Sequence, residues 1–533
     1  MIQLIQVMLR TRHIFPKPMT HPIISEPERP VGRARGPRQT EERWAQYGIF
    51  LLVFYATARA VVSSVAKPFW FDEIVSWIIA RQPNLAAIWA AFSRGAETQP
   101  PLFDLIERSA AVIPNAEVGF RLPSVIGFAC VLVCLFVFVR RRSGGIYGLI
   151  SAAMVMSTTL YMPYAIEARP YSLEVACVAV ALIAYQRAPA FRWVALMAFA
   201  LAMAESLHYY AIFAILSFAA AEGVFFWKTS AFRLRIWVSL ILGALPLVAF
   251  WPLLAHLKVY YGQNFWAQPT LWSLRDVYGH FLQVSYFWGL AASVVCGLVV
   301  LGALSLVLDE PAEENAKWPF HERILVFFLL ATPLIVFVAT KLVHGGYTER
   351  YVLFSVLGIS SAIGIALPRL GRPTLIVFSA LLVSAIAVQE ASFWLSKKPH
   401  WHVQSNAPLV ERMLRTAGHA DLPVVVTNRQ QYLELVYYAP QPLSARLISV
   451  VDAPAALRYA KTDSDERFLP VLATVFPLRV YNLQTLRSAF PSFLLYSSEQ
   501  SPDWWLDLFV HDGYGLRVLA SEQGSLVFLV TPD

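Results

Sequence analysis

Between residues 45 and 395, apolar blocks of about twenty residues follow one another, separated by short polar gaps. A helix rises about 1.5 Å per residue, so each block is about the length that crosses the ~30 Å hydrocarbon core of a bilayer. Such segments must satisfy their own backbone in lipid, and an open series of them does so only as helices. Composition agrees, with 57% hydrophobic and 15% charged residues against about half and one quarter in soluble domains. Spans are predicted at 45–66, 117–139, 145–163, 171–185, 193–208, 209–227, 236–254, 284–308, 324–340, 351–367 and 374–395. The expected architecture is therefore an all-α polytopic membrane protein of about eleven transmembrane helices. The net charge of +8 does not point to nucleic acid, because the basic residues sit in gaps between apolar blocks and form no stripe. Cys130, Cys134, Cys177 and Cys296 lie inside apolar blocks without metal-ligand or CxxC spacing, and read as small hydrophobes.

Basic residues set the orientation. Arg33, Arg35, Arg38 and Arg43 precede the first span, and Arg140-Arg141-Arg142 follow the second. Arg187 and Arg192, then Lys228, Arg233 and Arg235, then Arg369 and Arg372 fall on the same side, which is predicted to be cytoplasmic. Loops 67–116, 164–170, 255–283 and 344–350, with everything after residue 395, are then outside. Residues 1–44 read as a disordered basic cytoplasmic tail; Arg10 and Arg12 interrupt the apolar start that a signal peptide would need. Residues 45–395 form the transmembrane domain, and 396–533 an extracytoplasmic α/β domain in which β-rich runs at 423–427 and 492–496 alternate with helical ones at 409–417 and 504–511. Its last two runs, 514–520 and 525–531, predict a hairpin. With no phosphate-loop or metal motif in it, this domain is expected to act as a lid, a dock or an acceptor recruiter.

The first outer loop, 67–116, is too long for a connector and too apolar for disorder. It opens Pro68-Phe69-Trp70-Phe71-Asp72-Glu73, and the stretches 74–80 and 85–92 have the apolar and Trp content of short interfacial helices. The loop is expected to lie on the membrane surface, holding Asp72 at headgroup depth, where partial burial would raise its pKa toward that of a useful general base. A structural reading is equally open, since acids in a first helical turn complement the dipole. Other outer segments carry Glu167-Ala168-Arg169-Pro170-Tyr171 and Thr348-Glu349-Arg350-Tyr351. Arginine suits phosphate through its paired, charge-assisted donors, and it is also a common anchor at span ends. Glu205 and His208 share a helical face and read either as a satisfied pair or as metal ligands. Arg59, inside the first span, needs an acid partner or a route to the surface.

The order of these motifs resembles the GT-C membrane glycosyltransferases that use polyprenyl-phosphate sugars, among them the protein O-mannosyltransferases, the aminoarabinose transferase of lipid A and the rhizobial galacturonosyltransferases. The residues carrying the resemblance are Phe71-Asp72-Glu73, Pro100-Pro101-Leu102-Phe103, Phe120-Arg121-Leu122-Pro123-Ser124, Glu167-Ala168-Arg169-Pro170-Tyr171, His208-Tyr209-Tyr210 and Glu349-Arg350-Tyr351. They cover the first two thirds of the chain and all fall on the predicted outer face. The resemblance implies Asp72 as catalytic base with Glu73 as its supporting neighbour. It implies Glu167, Arg169, Tyr171, His208, Arg350 and Tyr351 as substrate contacts, with Arg169 and Arg350 on the leaving phosphate. It further implies a donor of polyprenyl-phosphate sugar, inversion at the anomeric carbon, and a lipid, glycan or protein acceptor, in a bacterial plasma membrane. No cofactor is required, although Glu167 and His208 would be the ligands of a divalent metal. Two departures stand out: Gln99 precedes the Pro-Pro pair where relatives carry an acid or histidine, and Asp104 adds an acid where an aromatic is common.

Three other readings compete, one of them a noncatalytic membrane scaffold, which leaves the clustered acids and arginines unexplained. A transporter or flippase of lipid-linked glycans should show repeated halves and polar residues near mid-membrane, and an O-antigen polymerase or ligase should place arginines in a large late loop. Here the polar clusters gather at the outer ends, and the first loop is the rich one.

Overall fold

The computed structural model describes residues 37–158, 160–261, 264–282, 318–396, 403–498 and 504–532. The chain divides at Thr40, and the architecture below is that of Glu41–Asp533. Among the described residues five helices are long and apolar enough to cross a membrane: Gln39–Ala66, Ala116–Ser143, Ala211–Thr229, Phe320–Val343 and Gly371–Leu395. A sixth follows if Leu234–Ala249 and Trp251–Tyr261, bent by 51°, are one broken span. Pro252 accounts for the bend, because it lacks the N–H that would continue the ladder.

The expected count of about eleven is thus met in part. Tyr171–Arg187 and Phe191–Leu207 have 17 residues each, about 26 Å of helix, somewhat less than a hydrocarbon core. The span expected at 145–163 is split into Gly145–Ser157 and Tyr161–Ala165. The one expected at 351–367 begins with a 3-10 turn, Glu349–Val352, before Ser355–Ala366. The span at 284–308 lies outside the described residues. The first helix begins at Pro37, so the end of the expected 1–44 tail is helical; residues 1–36 lie outside the described ones.

Lipid offers little hydrophobic drive between helices, so close backbone approach at small residues holds them together. A Cβ on Gly127 would stand 2.8 Å from the carbonyl oxygen of Ser172 on the facing helix. Gly358 lets its helix touch the backbone of Leu330 in the same way. Ion pairs gather at one end of the bundle: Arg140 with Glu42 at 2.7 Å, Arg142 with Glu322, and Arg233 with Glu222. Arg59 finds its acid in Glu390 at 2.6 Å, tying the first helix to the last of the five long apolar ones.

The other end is covered by the C-terminal region, a six-stranded sheet ordered β3-β2-β1-β4-β6-β5. Its strands are β1 (Val424–Val426), β2 (Leu447–Val451), β3 (Val480–Asn482), β4 (Phe493–Ser498), β5 (Tyr514–Glu522) and β6 (Ser525–Pro532). β3, β2, β1 and β4 run parallel, and β5 and β6 close the edge as an antiparallel hairpin. Gln523 and Gly524 make its two-residue turn, both at positive φ of 49° and 74°, the geometry that matches strand twist.

This sheet region clamps the first outer loop. Helix Phe71–Ala80 buries Phe71, Ile74, Val75, Ile78 and Ile79 in one apolar cluster with Val424, Tyr432 and Leu433. The Phe69 N–H donates to the Tyr438 hydroxyl at 2.8 Å, and Trp77 stands edge-on to Tyr437 at 4.9 Å. The expectation that residues 74–80 rest on lipid is therefore corrected: helix Arg429–Tyr438 covers that apolar face and satisfies the adjoining backbone. The next helix, Leu85–Arg94, does keep Leu85 and Trp89 exposed.

Candidate active site

Helix Phe71–Ala80 starts because Pro68 ends the preceding run and Trp70 is extended at φ −96°, ψ 176°. The Trp70 N–H donates to the Glu73 carboxylate at 3.2 Å, half of a capping box. Asp72 and Glu73 occupy the first turn, where the dipole favours anions. Successive helical positions point about 100° apart, so the two carboxylates face different surroundings.

Glu73 faces inward and is fully buried. It grips Arg121 through two 2.7 Å bonds, Nε to Oε1 and Nη2 to Oε2, and accepts the Ala168 N–H at 2.7 Å. Arg121 spends its other donors on the carbonyls of Ser64, Lys67 and Pro68. Burial alone would raise the Glu73 carboxyl, but Arg121 and Lys67 overcome it and hold it below its ordinary range. The pair joins the first helix, the first outer loop and the 164–170 loop, and it does not line the cavity.

Asp72 faces a cavity of about 320 Å³. Its Oδ2 accepts from Arg350 Nη1 at 2.6 Å, with 18% of the side chain exposed. Burial pushes its carboxyl up, yet Arg350, Arg169 and Arg429 together outweigh burial and leave it below its ordinary value. The expectation of a raised pKa is overturned, because three guanidiniums face one carboxylate.

Arg350 sits on the 3-10 turn Glu349–Val352. It lies 5.3 Å from the Trp266 ring and 5.7 to 5.8 Å from those of Trp70, Tyr171 and Tyr351, a collar of π-faces that favours a cation. Arg169 is occupied otherwise: it bonds Glu97 at 3.0 and 3.3 Å, Ser76 Oγ at 2.9 Å and the Asp72 carbonyl at 3.3 Å. Glu97 thus neutralises Arg169, and Arg169 in turn fixes the Asp72 backbone. Tyr171 and Tyr351 also line the cavity, as does Gln99, whose amide donates to the Tyr171 hydroxyl at 2.7 Å.

Two expected contacts stand behind the wall. His208 is buried, packed 5.4 Å from Tyr171 and 5.1 Å from Tyr351, with Nδ1 3.6 Å from Glu174. Glu167 is buried beside Lys67 at 3.5 Å, and its carboxyl is pushed up to about 7 by burial, with Lys67 opposing and Glu73 assisting. Neither touches the cavity, because Tyr171 and Tyr351 stand in front of the imidazole and Lys67 draws the carboxylate aside. Glu205 does not pair with His208; both its carboxylate oxygens lack a hydrogen-bond partner among the described residues. Among those residues no three His, Cys, Asp or Glu side chains converge to hold a metal ion. Asp104 is buried near Arg169, its carboxyl driven well up by burial and then by Glu97, and it too is off the cavity.

Part of the wall comes from segments that carry none of the motifs above. Arg429, Gln430, Ser464 and Phe468 from the C-terminal region line the cavity, with Tyr261, Phe265 and Trp266 from the 255–283 segment. Arg429 lies 4.9 Å over the Phe71 ring and pairs with Asp465. Burial brings its guanidinium down to about 10, against the pull of Asp72. A signal for it does exist: Thr427-Asn428-Arg429 leaves the carboxyl end of a parallel strand, where α/β sheets gather ligand-facing residues. The assembled site places a carboxylate beside a cage-held arginine, a pairing able to take a proton from one group while holding an anion on another.

No protein-family model matches the sequence, and no curated protein does either. Among solved structures, the chain is similar to ArnT from Cupriavidus metallidurans bound to undecaprenyl phosphate, with 14% identity, 90% of this chain and 97% of that one covered, and a TM-score of 0.43. It is also similar to the Archaeoglobus fulgidus oligosaccharyltransferase tethered with an acceptor peptide, with 10% identity, 92% of this chain and 74% of that one covered, and a TM-score of 0.47.

Proposed function

We propose that this protein is a membrane glycosyltransferase that moves a sugar from a polyprenyl-phosphate donor to a hydroxyl acceptor, with inversion, on the outer face of a bacterial plasma membrane. The observation that carries the reading is the Asp72–Arg350 pair, 2.6 Å apart on the wall of a polar and aromatic cavity at one end of an apolar helix bundle. In this reading the helices too short or too broken to qualify alone complete the membrane domain.

Asp72 is the base. It takes the proton of the acceptor hydroxyl as that oxygen attacks the anomeric carbon, and the C–O bond to phosphate breaks on the opposite face. Polyprenyl phosphate departs with the bonding electrons, its charge met by Arg350. The depressed pKa of Asp72 belongs to this arrangement. A donor phosphate competes with Asp72 for the same guanidinium, and losing Arg350 returns the carboxylate toward ordinary basicity when a substrate is in place. Glu73 acts through position: clamped to Arg121, it sets the helix start that aims Asp72. Arg169 holds the Asp72 carbonyl, and Tyr171 and Tyr351 shape the sugar's side of the cavity. Glu167 and His208 support this wall from behind. The reading requires no metal, and it leaves the sugar and the choice among lipid, glycan and protein acceptors to experiment.

The test is mass spectrometry of envelope glycolipids, glycans and polyprenyl lipids from a strain lacking the gene. One missing sugar substituent, with its polyprenyl-phosphate sugar accumulating, is the expected result. An unchanged glycan profile with an unchanged donor pool would contradict the reading.

A further inference from the structure

A second cavity, of about 360 Å³, opens in the C-terminal region beside the first. It lies where topology favours a ligand. The chain leaves β1 toward β2 and β3 on one side, then returns to the other side of β1 as β4. The strand order therefore reverses between β1 and β4, and the carboxyl ends of strands at such a reversal are where α/β sheets take ligands. Thr427 and Asn428 after β1, Ser449 in the middle of β2 and Ser498 at the end of β4 line it, with Trp504. Ser449 is 2% exposed. The volume falls within the range of about 300–1,000 Å³ at which pockets take small molecules.

The chemistry of the wall selects against an anion. Its cation, Arg429, is paired with Asp465, and Glu466 adds a further acid. The adjoining helix N-terminus, often a phosphate site, is already capped: the Asn428 side chain accepts the N–H groups of Gln430 at 2.8 Å and Gln431 at 3.1 Å. Hydroxyl and amide groups suit a pyranose, whose hydroxyls both donate and accept hydrogen bonds, and the Trp504 indole, stacked on Trp505 at 4.2 Å, borders them. Arg429 and Gln430 line both cavities, so a molecule seated in this one continues toward Asp72.

We propose that this pocket binds a neutral hexopyranosyl unit of the acceptor, next to the hydroxyl that receives the transferred sugar. The proposal rests on the glycosyltransferase reading for its purpose, and its test reads binding alone. Saturation-transfer NMR would be run on the full chain in detergent with methyl α-glucoside, methyl α-mannoside and methyl α-galactoside. At least one glycoside is expected to bind, and Ser449→Val, which keeps a strand-favouring residue while removing the hydroxyl, should weaken it at least fivefold. Trp504→Ala should do the same, and Asp72→Asn should leave binding unchanged. The proposal falls if none of the three binds, if Ser449→Val binds as wild type does, or if glucose 6-phosphate binds more tightly than the neutral glycosides. Retained transfer in Asp72→Asn would instead remove the assigned base and leave the sugar pocket standing.

Discussion

The buried clamp around Glu73 and the cavity wall around Asp72 are each built on a carboxylate bonded to an arginine, and they differ in geometry, exposure and neighbours. Glu73 and Arg121 meet by two parallel bonds, both side chains without exposure, and their remaining polar atoms are spent on backbone groups. Asp72 and Arg350 meet by one bond, with 18% and 12% of their side chains exposed to the cavity. A fully satisfied pair has nothing to offer a substrate. A singly bonded pair at a cavity wall can exchange partners, and exchange is what a proton transfer beside a departing phosphate needs.

The sharpest way to break this contrast is to cut the clamp. Arg121→Ala leaves Glu73 buried without its counter-ion, a change that costs about 3–5 kcal/mol. Thermal unfolding of the detergent-solubilised protein should show a large loss of stability or no folded protein, and a wild-type melting temperature would show that the clamp is dispensable. Cutting the exposed pair should act on chemistry instead. Arg350→Ala is expected to lower kcat/KM for the donor by roughly 10- to 100-fold, the loss of a charge-assisted hydrogen bond of about 1.5–3 kcal/mol, with folding retained. Unchanged donor kinetics would remove Arg350 from the phosphate.

The pH dependence sharpens the same point. The Asp72 carboxyl is held below its ordinary value by Arg350 first among its neighbours, so with Asp72 as the proposed base the acid limb of kcat/KM is expected below the ordinary aspartate pKa of about 3.9. Arg350→Ala takes away a lowering influence; Asp72 must then rise, and the acid limb should move to higher pH. A limb that stays in place would mean that another group titrates there. Arg429→Gln should move the limb in the same direction by less, since Arg429 is the last of the neighbours that lower Asp72 and is itself paired with Asp465. A shift larger than that of Arg350→Ala would reverse the roles assigned to the two arginines.

What the sequence made legible follows from how local each signal is. Asp72, Arg169, Tyr171, Arg350 and Tyr351 lie in short motifs at span ends, and the order of those motifs pointed to one face; all five line one cavity. The fate of Glu73 was illegible because its partner Arg121 is 48 residues away, and only the fold turns two adjacent acids to opposite sides. His208 and Glu167 carried the right residue types at the right ends, yet aromatic rings and Lys67 separate them from the cavity. Strands β1 and β4 and the final hairpin of the C-terminal region were readable from β-rich runs and turn chemistry, whereas β2, β3 and the parallel pairing were not. Its contribution to the site was not, because Arg429 reaches the cavity only through the docking of helix Arg429–Tyr438 on helix Phe71–Ala80, a contact between segments more than 300 residues apart.

The most direct measurement sets the two neighbours side by side, assaying sugar transfer from a polyprenyl-phosphate donor and thermal stability in purified Asp72→Asn and Glu73→Gln. The account predicts that Asp72→Asn keeps the wild-type melting temperature and loses transfer by about 10²- to 10⁴-fold, the usual worth of a general base, while Glu73→Gln loses stability first. Wild-type transfer by a folded Asp72→Asn, or loss of transfer in a fully stable Glu73→Gln, would contradict it.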